Sequence, residues 1–207
     1  IKESTFNGCS SLNELVFNSN MNILEENCFR GVSCPIIFKE SCNFSKVENF
    51  DIYKNIPVQI EFLKDVSFPE GSIIGSGAMR KTIIHGDLFI STDIPDGLNI
   101  NYYFHGAFGG CKAPRVYLSK TVSYIGSGAF TGGEIEELYI EDLYHWLSVT
   151  SRNAIYPDNI TESAKKIFIE GVEAVDIVIP DGITKIGSGA FMGIKSLRTV
   201  KSNGTIE

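Results

Sequence analysis

The chain repeats a six-residue signature. Ile-Gly-Ser-Gly-Ala-Phe occurs at 125–130 and again at 186–191, and residues 74–79 differ from it only in their final Met. The Phe or Met that ends each full or degenerate copy is found at Phe6, Phe29, Met79, Phe108, Phe130 and Phe191. Units of roughly 20–30 residues cannot each bury an apolar face alone. The repeat therefore predicts units that stack on one another into a continuous core.

A second pattern marks the strands. It reads apolar-x-x-apolar-x-apolar, in Leu12/Leu15/Phe17, Leu63/Val66/Phe68, Ala113/Val116/Leu118, Ile135/Leu138/Ile140, Ala164/Ile167/Ile169 and Ala174/Ile177/Ile179. The last two apolar residues flank one outward residue, which is the period of a half-buried strand. Together with looser copies, the pattern predicts strands ending at 17, 38, 68, 90, 118, 140, 169, 179 and 202. Most of these ends are separated by the length of a leucine-rich repeat.

The segments between strands predict how the chain returns. Pro-Glu-Gly at 69–71 and Pro-Asp-Gly at 95–97 and 180–182 are turn sequences. In the hexapeptide, small Gly and Ala let backbones approach while Phe fills the centre of the unit. The predicted fold is a repeat solenoid of the leucine-rich-repeat type. Short parallel strands form a right-handed-type stack with one curved sheet and irregular or short helical return segments.

The organisation is interpreted as one solenoid over residues 1–207. A diverged unit lies near 39–65 and an insertion near 141–176. Segment 56–71 is interpreted as a hairpin like that at 166–182, because both precede a Pro-acidic-Gly turn. Neither end carries a polar capping unit, so the chain is expected to be a fragment of a longer protein.

The unit at 179–200, Ile-Pro-Asp-Gly-Ile-Thr-Lys-Ile-Gly-Ser-Gly-Ala-Phe-Met-Gly-Ile-Lys-Ser-Leu-Arg-Thr-Val, resembles the BspA-like class of leucine-rich repeats. Residues 117–140 match the same unit, and 1–17 resemble its end. Residues 140–147 and 166–180 resemble a recurrent insertion in that class. The resemblance implies a bacterial or protist protein that is secreted or at the cell surface. It also implies adhesion to host extracellular-matrix proteins and to other cells.

Composition excludes several classes of function. The formal net charge is −7 and Lys and Arg are not clustered, so nucleic acid is not an expected partner. No run approaches the roughly 20 apolar residues of a membrane span, so no membrane insertion is expected. The five cysteines are not spaced as metal ligands, and a disulfide among the first four stays open.

Catalysis is not predicted, and neither a cofactor nor a metal site is expected. Gly126-Ser-Gly128 and Gly187-Ser-Gly189 belong to the repeat rather than to a dinucleotide-binding loop. The three histidines fall in different units, and paired carboxylates such as Glu136/Glu137 fit a solvated strand. The chain is therefore interpreted as a non-enzyme.

The outward residues of the predicted strands form the main candidate site. Rung by rung they are Val16, Ile37, Ser67, Phe89, Tyr117, Tyr139, Phe168, Val178 and Lys201. Stacking puts them in one stripe, and the four consecutive aromatics suit recognition of protein or glycan. The alternatives are cross-strand stabilisation of the sheet and coverage of the stripe by a neighbouring domain. For binding, Arg115, Glu137 and Lys166 are candidate rim charges.

Trp146 is a further candidate binding residue. Ile140, Leu143 and Leu147 form the apolar stripe of a short helix, and Trp146 lies beside it. It either packs over an inserted unit or serves as an exposed interaction anchor.

The leading functional hypothesis is a non-enzymatic binding module of an adhesin-type protein. Its expected partners are host matrix or cell-surface proteins, bound through the exposed face of the sheet. The alternative is a structural spacer or scaffold that presents another domain.

Overall fold

The computed structural model is a parallel β-solenoid of about seven turns with very little helix. It describes residues 1–48, 59–100, 103–149 and 160–206. Parts of the expected diverged unit (49–58) and of the expected insertion (150–159) lie outside the described residues. The predicted solenoid fold is confirmed. The nine predicted strand ends coincide with the last residues of nine strands.

The elements are short, as expected for one rung of a stack. The strands are β1 (Leu15–Phe17), β2 (Ile23–Leu24), β3 (Ile36–Phe38), β4 (Cys42–Asn43), β5 (Lys46–Val47), β6 (Ile60–Phe62), β7 (Val66–Phe68), β8 (Ile73–Ile74), β9 (Thr82–Ile84), β10 (Asp87–Ile90), β11 (Leu98–Ile100), β12 (Tyr103–His105), β13 (Lys112–Leu118), β14 (Glu134–Ile140), β15 (Ala164–Ile169), β16 (Val172–Glu173), β17 (Asp176–Ile179) and β18 (Thr199–Ser202). The helices are α1 (Leu143–Trp146) and α2 (Ile160–Ser163).

The main sheet of the described residues has eleven strands arranged as two columns that merge. One column pairs β1, β3, β6 and β9 in parallel, and the other pairs β4, β7 and β10. Strand β13 joins them, because Lys112 pairs with Ile83 of β9 while its later residues pair with β10. From β13 onward one long strand per turn replaces two short ones, and β14 and β15 continue it.

The expected single stripe of nine outward residues is wrong in its first and last members. Val16 pairs with Ile37, and Ile37 then pairs with Glu61 rather than with Ser67. The reason is that the early turns carry two strands each, so Ser67 belongs to the other column. Val178 and Lys201 pair with each other, but in a separate two-stranded sheet.

The interpretation of segment 56–71 as a hairpin is also wrong where the structure describes it. Strands β6 and β7 lie in different columns, and each pairs in parallel with the neighbouring turns. By contrast, β15 and β16 form an antiparallel hairpin, in which Ile169 pairs with Val172. Glu170 and Gly171 make its two-residue turn with positive φ values of 52° and 80°. Such values at both positions are typical of a type I′ hairpin turn.

The segments that return the chain between strands of the main sheet are more regular than expected. Instead of being only irregular or helical, they carry a second parallel sheet of β2, β5 and β8. An isolated parallel bridge between Ile94 and Ile125 lies farther along the chain. Apolar residues such as Leu24 and Val47 on this second sheet are buried. Because both walls are paired between turns, backbone groups on both sides of the core find partners.

Rings fill the space between the two walls. The residues that end the hexapeptide copies are buried at four positions, Phe29, Met79, Phe108 and Phe130. Phe38 stacks between two other strand residues, with centroids 4.9 Å from Phe17 and 4.6 Å from Phe62. These separations match the spacing of neighbouring strands, about 4.8 Å. Equivalent side chains therefore pack on one another along the length of the core.

The glycines of the hexapeptide allow close contact between turns. The N–H of Gly126 donates to the carbonyl of Ile94, and a Cβ at Gly126 would collide with the carbonyl of Pro95. Next to it, the Ser127 N–H donates to the Asp96 carboxylate at 2.9 Å. This explains the expected role of the small residues, because the hexapeptide segment at 125–130 lies directly against the Pro-Asp-Gly turn of the preceding unit.

We predict that Gly126→Ala lowers the free energy of unfolding by about 1–3 kcal/mol, the usual cost of overpacking. No positive φ is involved, so the loss would come from the collision with Pro95. The matched control is Gly204→Ala, because a Cβ there meets nothing within 4 Å. Its expected effect is within about 0.5 kcal/mol. Urea denaturation followed by circular dichroism measures both variants, and equal midpoints for the two would contradict the packing argument.

Candidate functional site

Four aromatic side chains form a continuous stack on the outer face of the main sheet. Phe89, Tyr117, Tyr139 and Phe168 occupy equivalent register positions on β10, β13, β14 and β15. Successive ring centroids are 4.8, 4.7 and 4.8 Å apart, and the interplanar angles are 13°, 12° and 10°. We call these four residues the aromatic ladder. Its spacing follows from the parallel register, because each strand presents its ring one strand-width from the last.

The ladder is partly exposed to solvent. Phe89 is 37% exposed, and the other three rings are half-buried. Since each of the two central rings is stacked on both sides, the surface offered to solvent consists of ring edges and tyrosine hydroxyls. Ring edges carry the positive part of the aromatic quadrupole. A ligand on Tyr117 and Tyr139 would therefore meet ring edges rather than open ring faces.

A column of alternating charge runs along one side of the ladder. Asp87, Arg115, Glu137 and Lys166 pair in register two residues before the rings. The Arg115 Nε donates to Asp87 Oδ1 at 2.7 Å, which raises the pKa of the guanidinium. We call these four residues the charged column. It contains the expected rim charges Arg115, Glu137 and Lys166, and its two positive and two negative charges balance.

The other side of the ladder has a different composition. Two residues after each ring, the backbone continues the same pairing through Ser91, Ser119, Glu141 and Glu170. We call these four residues the strand-end column. Together with three of the rings it lines an open groove of about 410 Å³, which reaches Gly171 of the hairpin turn. The groove therefore has an apolar wall of rings and a polar wall that ends in two carboxylates.

The Tyr139 hydroxyl connects the ladder to the charged column. It donates a hydrogen bond to Glu137 Oε2 at 2.8 Å. Because this bond and the adjacent negative charge favour the protonated phenol, the pKa of Tyr139 is raised. The hydroxyl is thus held on the charged-column side, away from the groove.

Trp146 is not an exposed anchor. Its side chain is 5% exposed, and its indole Nε1 donates to the carbonyl of Ala190 at 3.0 Å. Helix α1 is capped at its N-terminus by Asp142, whose carboxylate accepts from the His145 N–H. This cap directs Leu143 and Trp146 into the core. The structure therefore supports the interpretation that Trp146 packs within the chain. The expectation that it is an exposed binding residue is corrected accordingly.

The five cysteines form no disulfide. All five thiols are free, and Cys28, Cys34, Cys42 and Cys111 are buried. Burial raises the pKa of Cys28 to about 12 and that of Cys111 to about 11. The reactive form of a cysteine is the thiolate, so these two are inert near neutral pH.

The two histidines whose side chains are described have different structural partners. His85 Nε2 lies 3.0 Å from Glu61 Oε2, and His145 Nε2 lies 2.9 Å from the carbonyl of Val122. The side chain of His105 lies outside the described part. Across the described residues, no group of three or more His, Cys, Asp or Glu side chains is placed to hold a metal ion. Among the same residues, no helix is both long and apolar enough to cross a bilayer.

Comparison with known families gives a match over the whole chain. The model of the BspA type leucine-rich repeat region matches residues 1–91 and 89–207 with six copies. The chain belongs to this family. Leucine-rich repeats are generally protein-interaction modules, and BspA-like repeats are often found in surface proteins. Their fold is typically non-enzymatic. No curated protein and no solved structure shows a match to the chain.

The strand-end column was missed by the interpretation of the sequence. The predicted pattern contains the single outward residue between two buried ones, which gives the rings, and it ends at the last buried residue of each strand. The signal was present, because Glu141 and Glu170 each stand two residues after a ladder aromatic. Extended by one residue past the strand end, the same alternation predicts that both carboxylates lie on the face of the ladder.

We predict that Glu137→Gln lowers the pKa of Tyr139 towards its ordinary value. The substitution removes the negative charge while it keeps an acceptor for the phenol, so the neutral form is less favoured. NMR titration of ¹³C-labelled tyrosine rings measures the shift. Glu136→Gln on the same strand is the control and should leave Tyr139 unchanged, since Glu136 pairs with Lys165 instead. An unchanged pKa in Glu137→Gln would contradict this hydrogen bond.

Proposed function

We propose that the chain is a non-enzymatic binding module of a secreted or cell-surface protein of the adhesin type. Its partners would be proteins of the extracellular matrix or of host cell surfaces. The observation that carries the proposal is the aromatic ladder, a row of four partly exposed rings on the open face of the sheet. Aromatic side chains are enriched at the energetic centres of protein interfaces. Residues 1–207 would act as one solenoid unit in this role.

The arrangement of the rings favours a protein partner over a glycan. Stacking of a sugar needs an open ring face, and both faces of Tyr117 and Tyr139 are covered by neighbouring rings. Apolar side chains of a protein need only surface area, which ring edges supply. The balanced charges beside the ladder also resemble the polar rim that surrounds the core of a protein interface.

A ladder of this kind also stabilises the sheet, by about 0.2–1 kcal/mol for each cross-strand pair. That contribution does not compete with binding, since it uses the faces of the rings and leaves their edges free. The spacer alternative differs in its consequence, because a spacer has no ligand for this face.

The test replaces all four ladder residues by Thr, as Phe89→Thr, Tyr117→Thr, Tyr139→Thr and Phe168→Thr. Threonine is a good strand former, so the sheet is expected to persist. A matched control replaces exposed apolar residues elsewhere, as Ile73→Thr, Tyr144→Thr, Val172→Thr and Val178→Thr. Wild type and both variants are screened by surface plasmon resonance against immobilised matrix proteins, fibronectin and fibrinogen included, after circular dichroism has shown that each is folded.

We predict saturable binding of the wild type to at least one protein of the panel. The ladder variant should lose at least about tenfold in affinity, because interface aromatics often contribute 2 kcal/mol or more. The control should bind as the wild type does. Equal binding by a folded ladder variant would remove the ladder from the site. Binding of the wild type to no protein of the panel would favour the spacer.

A further inference from the structure

We propose that the groove beside the ladder takes an extended segment of the partner protein that carries an Arg or Lys side chain. The aliphatic stem would lie across the edges of Tyr117 and Tyr139, and the cation would lie at Glu141 and Glu170. This inference rests on the proposed function and adds the chemistry of the ligand. It depends on an asymmetry of charge between the two sides of the ladder.

The two sides differ in what they offer a charged ligand. In the charged column each charge stands next to an opposite one, so its field largely cancels over a short distance. In the strand-end column two neutral serines are followed by Glu141 and Glu170 on neighbouring strands. Near Glu141 lie Lys120, whose Nζ is 3.9 Å from Oε1, and His145, and both help to lower the pKa of Glu141. This wall of the groove is therefore acidic at one end.

Both carboxylates are held in place by the backbone while keeping an oxygen for a ligand. Oε2 of Glu141 accepts from the Lys120 N–H and the Ser119 hydroxyl, each at 2.9 Å, which leaves Oε1 to a long, exposed ion pair with the Lys120 ammonium at 3.9 Å. Oε1 of Glu170 accepts from the Leu143 N–H at 3.1 Å. The same bonds to Lys120 and Ser119 lower the pKa of Glu141, so its carboxylate stays ionised at neutral pH.

The backbone at Glu170 is fixed as well. The residue opens the tight turn of the β15–β16 hairpin, and Gly171 completes that turn and lines the groove. With no side chain at Gly171, the end of the groove beside Glu170 is open to an incoming chain. The groove therefore has no side chain at the turn position next to Glu170.

The rings and the carboxylates have separate tasks. A cation gains from an aromatic ring only over an open face, and the central rings of the ladder offer edges. The ladder can contribute apolar contact to the stem of Arg or Lys, but recognition of charge falls to Glu141 and Glu170. Removing the acids should therefore abolish the preference for a cation while leaving the apolar contact.

The experiment uses blocked five-residue peptides as probes, Thr-Val-Arg-Val-Thr and its Gln counterpart, both of which favour extended backbone. Each is titrated to millimolar concentration into ¹⁵N-labelled protein, and the backbone amide shifts are fitted for affinity. We expect the Arg peptide to shift the amides of 117–119, 139–141 and 170–171. It should bind about fivefold more tightly than the Gln peptide, which corresponds to two exposed charge pairs.

Two double variants separate the groove from general electrostatics. Glu141→Gln with Glu170→Gln should weaken the Arg peptide about fivefold and leave the Gln peptide unchanged. Glu134→Gln with Glu136→Gln makes the same change of net charge outside the groove lining, at residues paired to Lys112 and Lys165. This control should change the affinity for the Arg peptide less than twofold.

The inference is overturned if the two peptides bind equally, if the control weakens the Arg peptide as much as the groove variant does, or if the Arg peptide shifts none of these amides. Each of these outcomes leaves the proposed function standing, because that is decided by binding of the ladder variant to matrix proteins. Loss of matrix binding in the ladder variant together with equal peptide affinities would mean that the ladder binds protein without a preference for a cation.

Discussion

The parallel register between successive turns is the constraint on which the rest of the structure depends. Each strand pairs with the next at a fixed offset, so one position of the repeat is always placed beside the same position of the neighbouring turn. Backbone hydrogen bonds hold that spacing at about 4.8 Å. The identity of a residue in one turn therefore also determines its contacts with the two neighbouring turns.

This constraint acts differently on apolar and charged positions. Rings gain from lying beside rings, so Phe38 stacks between Phe17 and Phe62 inside the core. Like charges at about the same spacing would repel, and the charged column alternates from Asp87 to Lys166. The interior stacks, the ladder and the alternating charges are thus three results of a single geometry. The aromatic ladder differs from the ring stacks of the interior only in that solvent reaches one side of it.

The repeat pattern was enough to predict the solenoid, the strand ends and the neighbours of Tyr117 and Tyr139. It was not enough where the number of strands per turn changes. The segment around Glu61 and Ser67 alternates like any strand, and only pairing with its neighbours separates it into two columns. The burial of Trp146 depends on a contact with Ala190, 44 residues along the chain, which local periodicity does not contain. Local patterns thus specify the strands of one turn, while long-range pairing specifies which strands are adjacent.

The position of the acidic wall follows from the same physics. Residues within a strand are constrained by partners on both sides, whereas Glu141 and Glu170 stand just past the last buried residue of their strands. Their side chains bond to nearby backbone N–H groups of Lys120 and Leu143, so two carboxylates on neighbouring turns are tolerated where alternation would otherwise be required. A repeat protein can change charge at this position without disturbing its core or its ladder. In the proposed binding mode, the strand-end column supplies selectivity for the ligand, and the rings supply contact area that is the same for many partners.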